Sequence, residues 1–272
     1  MTNTVRDLEG RKALVTGSAT GLGRSFAVEL AARGADVIVN CTRSISDAEE
    51  TVALCNAAGA QTQLVTADVS SEAGAAKLAE AAARWGHLDI LVNNAGITRH
   101  ARDHSDLDAL SLDDFMATYA VNVAGPFLVM QACKPLLVKA YETSGRASTV
   151  LNVSSIAGVT GIGSSVAYAA TKGALNTMTI SLARALAPAI RVNAICPGFI
   201  GTRWFKDEMG EEQYAKLEAG VAASVPLNAA SGPDDVAASG MFFLTDAARH
   251  VTGETLLVDA GMHLGYSPLV AR

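Results

Sequence analysis

Charge is scarce in this chain. Only 18% of its 272 residues are Asp, Glu, Lys or Arg, and the formal net charge is −6. An acidic balance without a Lys/Arg cluster argues against a nucleic-acid partner. Aromatic residues are few as well, at 5%. The four cysteines, Cys41, Cys55, Cys133 and Cys196, lie far apart, form no CxxC pair and sit among apolar or small residues. They read as reduced packing thiols, not as metal ligands or a disulfide framework. No uninterrupted apolar run reaches the ~18 residues of a membrane span. The start, MTNTVRDLEGRKALVTG, lacks the apolar core of a secretory signal. Pro/Gly/Ser-rich linkers, internal repeats and low-complexity tracts are also missing. These absences lead to the expectation of one soluble, cytoplasmic domain with no metal, no nucleic-acid partner and no membrane partner.

Half of the chain is hydrophobic, enough to bury one large core. Short β-branched runs alternate with alanine-rich helical stretches. The strand candidates are KALVTG (12–17), DVIVNC (36–41), TQLVTADV (62–69), LDILVNNAG (88–96), STVLNVSS (148–155), IRVNAICPG (190–198) and ETLLVDAG (254–261). Helices are predicted from about Gly21 to Arg33 and near 46–58. Strands that alternate with helices predict an α/β fold with a doubly wound parallel sheet of about seven strands and helices on both faces. Several strands are apolar throughout, as a sheet covered on both sides requires.

The first strand runs into TGSATGLG, residues 16–23. Glycines at 17, 21 and 23 permit a sharp turn and a close ligand approach, and a helix N-terminus follows, whose N–H groups and dipole favour a pyrophosphate. The spacing is GxxxGxG, not the GxGxxG of the ordinary dinucleotide fingerprint. Further along, NNAG ends the fourth strand at 93–96, VNVAG places Asn122 in a helix, NVSS ends the fifth strand at Ser155, and CPGFIGT spans 196–202. Tyr168 and Lys172 sit four residues apart in SSVAYAATKGAL. On a helix they project from one face. A cation beside a phenol lowers its pKa from near ~10 toward the range useful for acid–base catalysis.

With these motifs in this order, the chain from Lys12 to about Gly261 resembles the short-chain dehydrogenase/reductase family, a single-domain Rossmann-type fold. The resemblance implies an NAD(P)(H)-dependent oxidoreductase that interconverts a ketone or aldehyde with an alcohol by hydride transfer. It implies that Tyr168 is the acid/base and that Ser155 polarises the substrate oxygen. Ser154 is the rival for that role; the thirteen-residue gap to Tyr168 favours Ser155. Lys172 would depress the tyrosine pKa and hold the nicotinamide ribose, and Asn122 would position a relay water. Cofactor contacts are expected from Gly17, Ser18, Thr20, Gly21, Leu22 and Gly23 in the turn, and from Asn94, Ala95 and Gly96 in NNAG. Pro197, Gly198, Ile200 and Thr202 would face the nicotinamide, with Thr202 on its carboxamide.

The slot that ends the second strand, where an acidic residue would select NAD, is Cys41. Without a carboxylate there, Thr42 and Arg43 suit a 2′-phosphate, so NADP(H) is the expected cofactor and NAD(H) the alternative. Thr20 stands where many NADP-dependent relatives carry a basic residue. Asp68 and Val69 would contact the adenine.

On the substrate side, residues 202–226 would form a lid, with Trp204 and Phe205 as apolar walls. Ile156, Ala157, Val159 and Phe199 would line the pocket and suit a small or medium-sized carbonyl substrate. Arg99, His100 and His104 border it as loop residues. The motifs resemble 3-oxoacyl-[acyl-carrier-protein] reductase closely; carrier recognition would use basic residues such as Arg99, Arg102, Lys134 and Lys139. Family members commonly form tetramers through the long helices bearing Asn122 and Tyr168 and through the last strand, so a homotetramer or homodimer is expected here, and the C-terminal segment GMHLGYSPLVAR could reach a neighbouring subunit. A non-catalytic nucleotide sensor would lose the tyrosine or lysine. A nucleotide-sugar epimerase would favour TGxxGxxG, and family enoyl reductases stretch the tyrosine–lysine gap beyond four.

Overall fold

A computed structural model describes residues 5–101, 103–202 and 209–265. Seven strands, β1 (Lys12–Val15), β2 (Asp36–Cys41), β3 (Thr62–Thr66), β4 (Ile90–Asn93), β5 (Ser148–Val153), β6 (Ile190–Pro197) and β7 (Thr255–Val258), pair in the order β3-β2-β1-β4-β5-β6-β7. Every pairing is parallel. All seven predicted strands form. Most stop short of the motif residues, because TG, NNAG and SS lie where the backbone leaves the sheet and its N–H groups turn to other partners.

Parallel strands need crossovers, and helices supply them. These are α1 (Gly21–Ala32), α2 (Ile45–Ala57), α3 (Glu72–Ala83), α4 (Leu112–Tyr119), α5 (Gly125–Ser144), α6 (Ala157–Thr160), α7 (Val166–Leu186), α8 (Glu211–Ser224) and α9 (Pro233–Leu244). Alternate residues of one strand enter two different cores. Ala13 and Val15 join Phe26, Leu30, Val236 and Phe243 under α1, α2 and α9, whereas Leu14 joins Leu78, Val129 and Leu137 under α3 and α5. This alternation explains why the strands read as apolar throughout.

A π-helical turn, Ala120–Ala124, joins α4 to α5 into a 33-residue helix, Leu112–Ser144. By length and composition it could cross a membrane. Here it lies on the sheet, with Val129, Met130, Cys133, Leu137 and Ala140 buried, as a core helix does. After β6, Ile200 pairs with Ser231 in a parallel bridge, and Gly201 N–H donates to Ser231 O at 2.9 Å. The chain positions that flank the segment expected as a lid, 202–226, are therefore neighbours at this bridge. Trp204, Phe205, Arg102 and the end of the C-terminal segment, 266–272, lie outside the described residues.

The amino ends of the strands are closed by buried charge. Asp89, 4% exposed, faces Arg11 at 3.5 Å and His87 at 3.3 Å, and it accepts from Lys12 N–H at 2.8 Å. Arg11 also reaches Asp246 at 3.0 Å. Removing one member of a buried pair strands the other in a poor dielectric. Asp89→Ala should therefore lower stability by about 3 kcal/mol, read as a reduced urea midpoint. An unchanged midpoint would show that the network contributes nothing.

Candidate active site

The strand order reverses between β1 and β4, so the crevice at a topological switch point opens above their carboxyl ends. The glycine turn lies there. Gly17 (φ +60°) adopts a left-handed conformation, and a Cβ on it would stand 2.8 Å from Ala95 Cα. A Cβ on Gly23 would stand 2.4 Å from Gly17 O. Side chains from both neighbouring strands hold the turn. Asn40, at the end of β2, accepts from Gly17 N–H at 3.1 Å and donates to Val65 O and Ala67 O. Asn94 donates to Thr16 O and Gly17 O at 3.0 and 2.9 Å, and the Thr16 hydroxyl oxygen accepts from the N–H groups of Asn94 and Ala95. Sequence reading missed Asn40 and Thr16. The side-chain amide of Asn94, expected at the cofactor, is used to brace the turn.

Ser18 also departs from expectation. It is fully buried; its hydroxyl donates to Val15 O at 2.7 Å and its N–H to Asn40 O at 2.9 Å. Neither donor is left for a phosphate. Thr20 caps α1 in an extended conformation without a side-chain bond to the helix. Among the described residues, no backbone acceptor outside the helix takes the N–H groups of Thr20, Gly21, Leu22 or Gly23. Thr202 approaches from the far side, its methyl 3.5 Å from where a Gly21 Cβ would be. A cradle that excludes Cβ atoms, beside open N–H groups at a helix N-terminus, fits a pyrophosphate.

At the end of β2, Cys41 turns its side chain into the core, 4% exposed, and its O accepts from Ala67 N–H. Of Cys41, expected among the cofactor-binding residues, only the backbone and not the thiol is therefore left to face a ligand. Thr42 and Arg43 are exposed. The Arg43 charge helps hold the Asp68 carboxyl below its ordinary range, after the larger effect of hydrogen bonds from Ser70. Val69 is likewise buried, packed against Gly125. The last residues of β2, Asn40 and Cys41, carry no carboxylate, whereas Asp68 lies within reach of the Arg43 charge.

The catalytic candidates converge beyond β4 and β5. Ser155 follows β5, held by Ser154 N–H to Ile195 O at 2.8 Å and Ile156 N–H to Pro197 O at 2.9 Å. Its hydroxyl oxygen accepts from Ala157 N–H at 3.1 Å, and the hydroxyl lies near enough to Tyr168 to favour the ionised phenol. Ser154 points away, donating to Lys172 O at 3.1 Å. Tyr168 rises from the first turn of α7, where Ser165 caps its N–H at 3.1 Å. Lys172, 4% exposed, donates from Nζ to Val153 O at 2.8 Å and lies 5.5 Å from the Tyr168 ring centroid. The π turn aims Asn122 inward. Its Oδ1 accepts from Ile97 N–H at 2.9 Å, and its Nδ2 donates to Ile97 O and to Thr171 Oγ1 at 2.9 and 3.1 Å. Both amide hydrogens of Asn122 are therefore taken by protein. The side chain clamps the strand of chain that follows NNAG.

At Tyr168 burial outweighs the other influences. Burial pushes the Tyr168 phenol above its ordinary pKa; the Ser155 hydroxyl opposes this, and Cys196 adds to the rise. Burial lowers Lys172 itself from 10.5 to about 8, with Cys196 acting the other way. Cys196, read as a packing thiol, is buried directly beside this pair, its Sγ 3.6 Å from Asn176 Oδ1.

Gly198 passes so near Asp259 that a Cβ would stand 2.8 Å from that residue's own, which seats the Pro197–Gly198 wall on the end of β7. Arg99 pairs with Asp114 at 3.2 Å. Among the described residues no group of His, Cys, Asp or Glu could hold a metal.

A sequence model described as "Enoyl-(Acyl carrier protein) reductase" matches residues 17–263. The chain is 41% identical to the "Granaticin polyketide synthase putative ketoacyl reductase 2" of Streptomyces violaceoruber, over 94% of this chain and 97% of that one. It is 36% identical to glucose 1-dehydrogenase 2 of Bacillus subtilis, over 97% and 99%. A solved "putative short-chain dehydrogenase/reductase" from Burkholderia xenovorans superposes with a TM-score of 0.85 at 37% identity, covering 94% of this chain and 98% of that one.

The buried ammonium has a measurable signature. Unfolded, Lys172 keeps its proton to about pH 10.5; folded, only to about 8. Between those values the unfolded chain binds more protons, so stability rises with pH. Lys172→Met should therefore melt several degrees above wild type at pH 7, and the gap should narrow from pH 8 to 10.5. Calorimetry showing a pH-independent gap would contradict the burial argument.

Proposed function

The chain belongs to the short-chain dehydrogenase/reductase family of oxidoreductases, and from that premise we propose that it is an NADP(H)-preferring reductase of apolar carbonyl compounds. The observation that carries the reading is the convergence of Ser155, Tyr168 and Lys172 at the mouth of a crevice floored by the glycine turn. When bound, the dinucleotide gives or takes a hydride at the substrate carbon. The N–H groups of residues 20–23 hold its pyrophosphate, Thr42 and Arg43 take the 2′-phosphate, and Thr202 meets the nicotinamide end. Ser155 orients the substrate oxygen, and the Tyr168 hydroxyl delivers a proton to it. A phenol kept protonated by burial suits the reductive direction. Lys172, charged at neutral pH, favours the phenolate left behind.

The rim supports the substrate class. Ile97, Val159 and Ile162 are 37%, 51% and 72% exposed. The nearby hydroxyls of Thr98 and Ser164 bond to each other, and Thr160 donates to Ile156 O. A polyhydroxylated substrate finds little to pair with there, whereas an aliphatic or aryl ketone covers apolar surface. Similarity to a ketoacyl reductase supports a second reading, reduction of a 3-oxoacyl thioester. The Arg99–Asp114 pair weakens the basic patch that carrier recognition would use. The four-residue Tyr168–Lys172 spacing disfavours enoyl reduction. Segment 202–226 acts as the lid.

Leu112, Met116, Tyr119 and Phe127 form an exposed apolar line along α4 and α5, and Val166 and Ile180 extend it onto α7. Such a line supports self-association as a dimer or tetramer. The unpaired buried thiols support a reducing, cytoplasmic setting.

Tyr168→Phe should lower turnover of an apolar ketone by at least ~10² while NADPH still raises the melting temperature; near-normal turnover would remove the acid/base assignment. Arg43→Ala should raise the Kd for NADPH about tenfold and leave that for NADH unchanged, and equal effects would end the NADP(H) argument. Light scattering should give two or four chains per particle.

A further inference from the structure

Arg24 was singled out by no motif, yet its side chain reaches the glycine turn from within α1. Its Nε donates to Ala19 O at 3.1 Å and its Nη2 to the same oxygen at 2.8 Å. Thr51, on α2, also donates to Ala19 O, at 3.0 Å. The Nε hydrogen is shared between Ala19 O and Thr51 Oγ1, and the Thr51 hydroxyl between Ala19 O and Asp47 O, so the carbonyl is held by a shared set of donors centred on the guanidinium fork. The same guanidinium is anchored on α2 by Asp47 O and Glu50 Oε2, both at 2.9 Å, and by Thr51 Oγ1 at 2.9 Å. The peptide from Ala19 to Thr20 is trans and planar, so fixing its C=O toward α2 turns the Thr20 N–H the opposite way. That N–H is the first in the run, 20–23, that no backbone acceptor outside the helix takes among the described residues.

We propose that Arg24 is a positioning residue for the pyrophosphate: it fixes the Ala19–Thr20 peptide so that the turn presents a preset row of N–H donors to the cofactor. This rests on the cofactor reading above and goes beyond it. Arg24 itself touches α2 and the back of the turn, not the phosphate. Because Thr20 supplies no positive charge, the turn depends on peptide orientation for its anion affinity, and a preset orientation avoids the ordering penalty of a loose loop. The effect concerns the pyrophosphate alone, which NADPH and NADH share.

Titration calorimetry on the full chain tests it with three probes: NADPH, NADH and 2′-AMP, which carries adenine, ribose and 2′-phosphate but no pyrophosphate. Arg24→Met should raise the Kd of NADPH and of NADH by the same factor, about tenfold, and leave 2′-AMP unchanged. At saturating NADPH, kcat should stay near wild type. Arg24→Lys, which keeps the charge but not the fork, should recover part of the loss. Should Arg24→Met not fold, Thr51→Val supplies a milder version of the same pattern. Unchanged NADPH binding would overturn the proposal, as would an equal loss for 2′-AMP, which would place the effect on α2 and the adenosine end. Wild-type protein that binds neither dinucleotide would overturn the cofactor reading, a result distinct from wild-type binding that the variant fully retains.

Discussion

The chemistry at the carboxyl end of this sheet depends on how closely the glycine turn lies against β4. Gly17 meets Ala95 at a distance that no side chain would permit, and Thr16 and Asn94 lock the approach with hydrogen bonds in both directions. Asn40 performs the same service from β2. The turn is thus a rigid wall between two strand ends, and the helix behind it presents its N–H groups outward. A looser turn would have to be ordered at each binding event, at the expense of affinity.

The second constraint is a buried ammonium. Lys172 is held between Val153 O, Gly96 and the Tyr168 ring, in surroundings that disfavour its charge. Stability alone would select an apolar side chain there. The group makes sense as one kept for the tyrosine, and the difference between its burial and its charge is a local trade of stability for function. Burial moves Tyr168 the opposite way, raising its pKa, so that the phenol, like the lysine, is pushed toward its neutral form.

The two ends of the sheet divide these tasks. At the amino ends, Arg11, Asp89 and Asp246 satisfy one another, and Arg191 donates to the carbonyls of Val251 and Phe243. At the carboxyl ends, N–H groups, a phenol and exposed apolar side chains remain open to a ligand. This polarity follows from parallel pairing, since every strand enters at one end and every loop that carries a motif leaves at the other.

Much of this was legible in the sequence. Seven β-branched runs separated by helical stretches determined the parallel sheet, because burial on both faces leaves apolar strands with little alternative. The glycine spacing and the four-residue interval from Tyr168 to Lys172 determined a phosphate turn and a shared helix face, both of which are local geometry. What only the tertiary structure decided is where each side chain's hydrogen bonds end. Ser18, Cys41 and Val69 stand at the expected positions, but their side chains turn into the core. Asn122 is aimed by a π turn that no composition signals, and it clamps Ile97. Asn40, Thr16 and Arg24 hold the turn through partners far away in sequence. The direction of the tyrosine's pKa depended on burial against the nearness of a charge, and that balance exists only once distant segments have packed together.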